Sequence, residues 1–320
     1  MQRAGSDGPQ HAGAGDCGGG DERRPGAADR SAGARRQPDP GRAWCGNGPH
    51  RASTGRFRRP YPTGRLARSQ SLVIDSHVHV GRNESRWETV RPLLEAVGID
   101  TAVLSADPEA YDLRGDRSLG GDLARSGGPF GLWYVGGDPF GGYRLVDPLL
   151  PPSLDDYDGV DWHCWFSDAH DYGSSDEVAI AEARDLLDSL DARRALEGLE
   201  AILAAGLPIR LTESLPFTLA LIKRFPAGTF IIPHMGLRNG GVSRVLNALA
   251  ADPRVYFDTS VVEPNEGMVG TVGWERVLLG SDAPSGDPAR AARDVRSLNL
   301  PAEQIAAILG ENAQRVFGRD

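Results

Sequence analysis

The chain has 320 residues, 40% of them hydrophobic, and a formal net charge of −9, which suits one large domain or two small ones. No run approaches the roughly 18 consecutive apolar residues of a membrane-spanning helix, and the N-terminus lacks the apolar core of a secretory signal. The charge is split. Residues 1–70 carry 13 Arg against 6 Asp+Glu (net +7), whereas residues 71–320 carry 22 Lys+Arg against 38 Asp+Glu (net −16). A body this acidic argues against nucleic acid as a partner.

Residues 1–70 hold 14 Gly and 7 Pro, and of Leu, Ile, Val and Phe they hold Phe57 and Leu66 alone. Such a segment buries too little apolar surface to offset its ordering entropy, so it reads as a disordered tail ahead of a globular body at 71–320. The body has a single lysine, Lys223, beside 34 arginines in the whole chain. That bias suggests a GC-rich coding sequence and a second reading of the tail, as upstream sequence translated from a misplaced start. Cys17, Cys45 and Cys164 are too few for a disulfide framework, which points to a reducing cytoplasm.

Leu72–Asp75 (LVID) reads as a short buried strand, with His77 and His79 following two apart. In extended chain, side chains two apart share a face, so both imidazoles project together and can share one metal ion. They can equally be polar loop residues. Ser85 is placed to cap a helix over 86–97 with Val90, Leu93, Leu94 and Val97 at helical spacing, and Pro92 should delay or bend it. Further strands follow at 101–105 (TAVLS), 130–135 (FGLWYV) and 159–166 (GVDWHCWF). A helical region over 176–205, hinged near 189–191, leads to strand five at 208–212 (PIRLT). Helices and strands then alternate: helix 216–225, strand 229–233 (TFIIP), helix 241–251, strand 255–259 (VYFDT) and strand 277–280 (VLLG). Two C-terminal helices, 287–298 and 301–317, close the body.

Eight short apolar strands, mostly separated by helices, fit a (β/α)8 TIM barrel within the α/β class; a doubly wound open sheet is the alternative. The placement of polar residues favours the barrel. His77 and His79 follow strand one, His234 strand six and Asp282 strand eight, and a closed barrel brings all strand ends to one mouth. Strand four also carries candidates. On strand alternation Asp161, His163 and Trp165 share one face, so His163 can point inward or serve as a hydrogen-bonded core histidine. Asp168 and His170 lie in the loop beyond, and Cys164 reads as a small buried apolar residue. Arg210 and Arg238 can each pair bidentately with a substrate carboxylate or fill an ordinary surface role. Nucleophile-elbow, Walker A and dinucleotide Gly-rich patterns are missing.

Four segments, HVHVG after strand one, FIIPHMG at 230–236, VLLGSDAP at 277–284 and ILGENAQRVFG at 308–318, together resemble the amidohydrolase superfamily, in its amidohydrolase-related (amidohydrolase 2) branch of metal-dependent hydrolases and decarboxylases. The resemblance spans about 72–318. It implies a barrel with a divalent metal at its mouth, most often Zn2+, with Mn2+ as the alternative. It places His77 and His79 at the first two ligands and Asp282 at the strand-eight carboxylate, as ligand or base. It places His234 at the strand-six histidine, a ligand in some members and a catalytic group in others. A strand-end Asp before Ala-Pro can also be a turn former, and His234 a polar loop residue.

One departure stands out. Strand five in this branch usually ends in a metal-ligating histidine, and here GLPIRLTES puts Thr212 there, a poor zinc ligand. Glu213, His163 or His170 can replace the missing ligand, His77, His79, His234 and Asp282 can suffice, or the metal site has decayed. The resulting expectation is a metal-dependent hydrolase in which a metal-activated water attacks an amide, ester or lactone carbonyl of a small molecule. His234 then serves as a ligand or as electrostatic partner of the oxyanion. A non-oxidative decarboxylase on the same barrel and a non-catalytic binding barrel are the alternatives. A homodimer is compatible with the fold class.

Overall fold

A computed structural model describes residues 72–81, 86–106, 121–123, 129–136, 150–151, 153–163, 166 and 177–318, apart from the side chains of residues 177, 178, 190 and 191. By contacts the chain divides at residue 56, and the described residues all belong to the second unit, Phe57–Asp320. The tail at 1–70, the three cysteines, Ser85, Trp165, Asp168 and His170 lie outside the described residues.

Eight strands form one sheet in sequence order: β1 (Ile74–Val80), β2 (Thr101–Ala106), β3 (Phe130–Gly136), β4 (Gly159–His163), β5 (Ile209–Thr212), β6 (Phe230–Ile232), β7 (Val255–Asp258) and β8 (Val277–Leu278). Every neighbouring pair is parallel. The ring closes where the chain beyond β8 meets β1. Ser76 N donates to Leu279 O (2.7 Å), Asp282 N to His77 O (2.9 Å) and His79 N to Ala283 O (2.7 Å), and Val78 and Ala283 form a parallel bridge. This is the closed barrel, not the open sheet.

Helices pack outside it: α1 (Trp87–Ala96), α2 (Glu177–Leu187), α3 (Leu190–Ala204), α4 (Leu215–Arg224), α5 (Val242–Leu249), α6 (Glu266–Val272), α7 (Pro288–Arg296), α8 (Ala302–Ala306) and α9 (Asn312–Phe317). Outward residues such as Val78, Val80, Leu104, Val135, Trp162, Leu211 and Ile232 meet this helical layer in the main core. Among the described residues no helix is long and apolar enough to cross a membrane.

Several local details differ from expectation. β1 runs through both histidines to Val80 instead of ending at Asp75. Helix α1 starts after Arg86, with no side-chain cap, and continues through Pro92, whose ring sits on the exposed face. Leu93, expected on the buried face, is 51% exposed. The break between α2 and α3 falls where expected, with the Ser189 hydroxyl accepting from Ala192 N (3.4 Å). Helix α6 was not foreseen. Its sequence, EGMVGTV, has two glycines and β-branched residues that disfavour helix, and the Asn265 cap on Met268 N (3.0 Å) starts it.

A second apolar cluster fills the barrel's lower interior: Ile74, Val103, Phe130, Leu132, Ile231 and Leu278, sealed from below by Ala313 and Phe317 of α9. The closing motif 308–318 therefore makes the floor. Asn312 Nδ2 donates to Trp274 O (2.7 Å) and Val277 O (2.8 Å). Gly310 lies so close to Leu72 that a Cβ would stand 1.8 Å from its carbonyl oxygen. Phe317→Ala removes the central plug and is expected to cost about 3–5 kcal/mol of stability, read as a lowered denaturant midpoint.

Candidate metal centre

Above the apolar floor the interior turns polar, and β1 is where the change is made. Ile74 pairs with Thr101 and Asp75 with Ala102, but Val78 pairs with Leu104, so a bulge at Ser76–His77 absorbs one extra residue. An extra residue reverses the in–out alternation. Ile74 can then face the floor while His77 and His79, further along, also face inward. Val78 and Val80 face the helices.

Two of the polar residues at the mouth approach through constrained backbone. Asp282 (φ 64°) and His234 (φ 54°) are both in the left-handed region, sparsely occupied by residues with a Cβ and often stored at functional sites. Gly280 permits the close packing beneath, since a Cβ there would meet His77 Cβ at 3.1 Å and Asp258 Cβ at 3.2 Å.

His77 Nε2 lies 3.0 Å from His79 Nε2. Asp282 Oδ1 lies 3.4 Å from the first and 3.3 Å from the second. The other ring nitrogens assign the tautomers. His77 Nδ1 faces the Asp258 carboxylate (Oδ2, 2.9 Å) and so carries the proton. His79 Nδ1 faces Ala106 O at 3.0 Å and donates to it, with Ser105 Oγ at 3.1 Å. When both rings are neutral, both Nε2 atoms present lone pairs to one another and to a carboxylate oxygen, an arrangement that a cation satisfies. Ligands of a tetrahedral ion at about 2.1 Å stand roughly 3.4 Å apart, so the triangle fits. Among the described residues, His77, His79 and Asp282 form one of two groups whose ligand atoms come within 4.8 Å of one another.

The second group is His77, His234 and Asp258, but its atoms are already matched donor to acceptor. Asp258 Oδ1 accepts from His234 N (2.9 Å) and Ser260 N (3.0 Å) and from the Ser260 hydroxyl, while Oδ2 takes His77 Nδ1. Because Ser260 Oγ–H is committed to the carboxylate, Oγ accepts from His234 Nδ1 (2.8 Å), which also faces Ser260 O (3.2 Å). His234 thus carries its lone pair at Nε2, and its ring lies 5.0 Å from that of His77. Asp258 and Ser260 went unremarked in the sequence, although VYFDTS places an aspartate at an inward strand end.

Beneath this layer lies Arg210. Its guanidinium pairs with both oxygens of Asp161 (3.2 and 2.6 Å) and donates to the Ser105 hydroxyl and to Ser76 O (3.3 Å), the carbonyl released at the bulge. Arg210, expected as an additional ligand or substrate contact, is fully buried and committed to this pair. Glu213 does not reach the site either. It accepts from Trp162 Nε1 and Phe166 N (both 2.9 Å), because Trp162 is one of the residues facing the outer wall and draws Glu213 there. Thr212 stands beside His163 in register, where the family's histidine was expected. His163 falls outside both groups of ligand atoms, and its Nδ1 is buried without a partner.

The electrostatics follow this layering. Burial pushes Asp161 up, but Arg210 outweighs it and holds the carboxyl well below the usual range. Burial likewise opposes ionisation of Asp258 and Asp282, and the surrounding imidazoles, with Ser260, outweigh it. Three inward carboxylates face one guanidinium, an excess of negative charge that suits a cation. Burial, then Arg210, lowers the His77 pKa. Burial lowers His163 to about 3 and, helped by His77, His234 to about 4, so both are neutral imidazoles. His79 is raised, since its contact with Asp282 overcomes burial. Asp75, with its Oδ2 unpartnered, is pushed up to about 7 by burial.

An eight-stranded parallel barrel with imidazoles and carboxylates gathered at its strand ends carries its candidate site where such barrels place theirs, at the C-terminal mouth. Residues 178–319 match the family model described as Amidohydrolase (Amidohydro_2). No curated protein sequence matches significantly. Among solved structures, the chain is similar to amidohydrolase 2 from Bifidobacterium longum subsp. infantis (18% identity, 78% of this chain and 100% of that one, TM-score 0.51). It is also similar to a 5-carboxyvanillate decarboxylase from Novosphingobium aromaticivorans with bound manganese (13%, 78% and 97%, 0.50). A third is a probable 2-pyrone-4,6-dicarboxylic acid hydrolase from Acinetobacter baumannii with citric acid bound (13%, 77% and 99%, 0.51). At such identities these likenesses establish the fold.

The buried pair gives a direct test of the layering. Asp161→Leu strands the Arg210 charge and is expected to cost about 3–5 kcal/mol, whereas adding Arg210→Met should recover much of it. Denaturant unfolding of the single and double variants measures both.

Proposed function

We propose that the chain is a divalent-metal-dependent hydrolase acting on an amide, ester or lactone carbonyl of a small molecule. The observation that carries this is the convergence of two imidazole nitrogens and a carboxylate oxygen, 3.0–3.4 Å apart. His77, His79 and Asp282 would hold the ion. The nitrogen-rich set suits zinc, and the manganese in the decarboxylase neighbour makes manganese the alternative. A bound divalent ion would lower the pKa of a water or polarise the carbonyl.

The chain's own groups supply the rest. Asp258 holds His77 in the tautomer that presents Nε2, and Ala106 O does so for His79. Asp282 turns Oδ1 to the two nitrogens, leaving Oδ2 to take a proton from attacking water. His234 presents an unprotonated Nε2, fixed by Ser260, so it serves as a proton acceptor or further ligand and not as a donor to an oxyanion. A cytoplasmic location accords with a chain of three cysteines. The second reading, a non-oxidative decarboxylase, draws on the decarboxylase among the similar structures.

Elemental analysis of the purified full chain should give about one zinc or manganese per chain, lost in His77→Ala and Asp282→Ala. A folded protein that stays empty when metal is supplied would overturn both readings. Over a panel of lactones, esters, amides and aromatic carboxylates, heavy oxygen from labelled water in the product supports hydrolysis, and carbon dioxide release supports the lyase. Asp258→Asn, which removes the negative charge facing His77 Nδ1, is expected to weaken metal affinity roughly 10–100-fold in competition with a chelator.

A further inference from the structure

The seam that closes the barrel is also where the candidate metal ligands meet: β1 supplies His77 and His79, and the segment after β8 supplies Asp282. One irregularity of this seam has no role so far. In a regular parallel ladder, the bond from Ser76 N to Leu279 O would be followed by one from Ser281 N to Ser76 O. Here both groups are diverted to side chains. Ser281 N donates to Asp75 Oδ1 (2.9 Å), and Ser76 O accepts from Arg210 (3.3 Å). Main-chain bonding then resumes with Asp282 N to His77 O and His79 N to Ala283 O.

The same Asp75 oxygen also accepts from His77 N (3.1 Å), inside the bulge. One atom thus joins two amides that are far apart in the chain, since Asp75 and Ser281 are separated by 206 positions. The first amide belongs to a candidate ligand, and the second to the residue just before another. Ser281 is tied forward as well, its hydroxyl accepting from Ala283 N (3.0 Å). Asp282 lies between these anchored amides in the left-handed region (φ 64°), which leaves its backbone little freedom. Asp75 is fully buried, and its other oxygen, Oδ2, has no partner. The contacts of the carboxylate therefore all rest on Oδ1. Without it, two buried amides would lack acceptors.

We propose that Asp75 is a positioning residue for the metal centre. Through a single oxygen it joins the backbone of His77 to the backbone leading into Asp282, and so fixes the separation of ligands carried by opposite ends of the barrel. Arg210 completes the joint by taking the carbonyl that the diverted amide leaves. The role requires an acceptor at Oδ1 and not a negative charge, so asparagine fulfils it and alanine does not. In its bearing on the metal, this inference rests on the metal-dependent reading of the mouth.

The test uses the full chain. Zinc affinity, read by competition with a chelator on folded protein, should fall about tenfold or more in Asp75→Ala and stay near the wild-type value in Asp75→Asn. Phe317→Ala, destabilised at the floor, should bind zinc as the wild type does. Backbone amide exchange of the metal-free proteins, read by mass spectrometry, should rise in Asp75→Ala over both β1 and residues 279–284, and over neither in Asp75→Asn. Should Asp75→Ala not fold, Asp75→Ser takes its place with the same expectations, because its shorter side chain cannot reach both amides. Wild-type affinity in the alanine variant, or equal losses in the alanine and asparagine variants, overturns the positioning role. An equal loss in Phe317→Ala also overturns it, by making lost stability the cause. A wild type that takes up neither zinc nor manganese overturns the metal-dependent reading instead, and the exchange pattern then decides the joint. A rise in only one stretch, or in neither, overturns that too.

Discussion

The structure depends on one electrostatic constraint: carboxylates that burial would neutralise are kept ionised inside a barrel. Asp161, Asp258 and Asp282 lie in or at the rim of the interior, and desolvation alone would push each toward its neutral form. The compensation is layered. Arg210 neutralises Asp161 at the lowest level, hydrogen-bond donors saturate Asp258 in the middle, and Asp282 at the top is left against two imidazoles whose facing nitrogens are bare. Compensation is complete below and incomplete at the mouth, and the incompleteness marks where chemistry can occur. An apolar floor sealed by Phe317 keeps water from relieving the imbalance from beneath.

The family match and the structure divide the labour of the chain differently. The match begins at residue 178 and so takes in β5–β8 and the helices around them, whereas His77 and His79 lie on β1, outside it. The two halves meet at the seam, where Asp282 N bonds His77 O. The site is therefore assembled by the closure of the barrel itself. Solved structures that share this fold at 13–18% identity bear the names of both hydrolases and decarboxylases, as expected when a scaffold fixes where chemistry happens and the mouth decides which.

Much of this was legible in the sequence. Eight apolar runs at barrel spacing and polar residues at strand ends are local patterns, and the strands at 101, 130, 159, 209, 230 and 255 fall where those patterns put them. That His77 and His79 share a face follows from their spacing of two, whereas the bulge in β1 turns that face inward. What was not legible depends on contacts far apart in the chain. Arg210 reads as a free cation until Asp161, on the neighbouring strand, is seen to meet it. Glu213 reads as a spare ligand until Trp162 draws it to the outer wall. Asp258 carries no motif, and its importance comes from its position beneath His77, 181 residues away in sequence. Helix α6 was missed because a cap and tertiary packing overrode poor propensity.

The bulge in β1 has a consequence for how this barrel can vary. The strand must serve two masters: Ile74 completes the apolar floor, and His77 and His79 complete the mouth, yet in a regular strand these residues would fall on opposite faces. The additional residue at Ser76–His77 reconciles them, and its displaced carbonyl is taken up by Arg210. The segment from Ile74 to His79 is therefore intolerant of length change in a way that the loops at the mouth are not. Loss of a single residue there would preserve composition, hydrophobicity and both histidines, and would still turn the imidazoles outward among the helices. In this stretch the inherited quantity is parity.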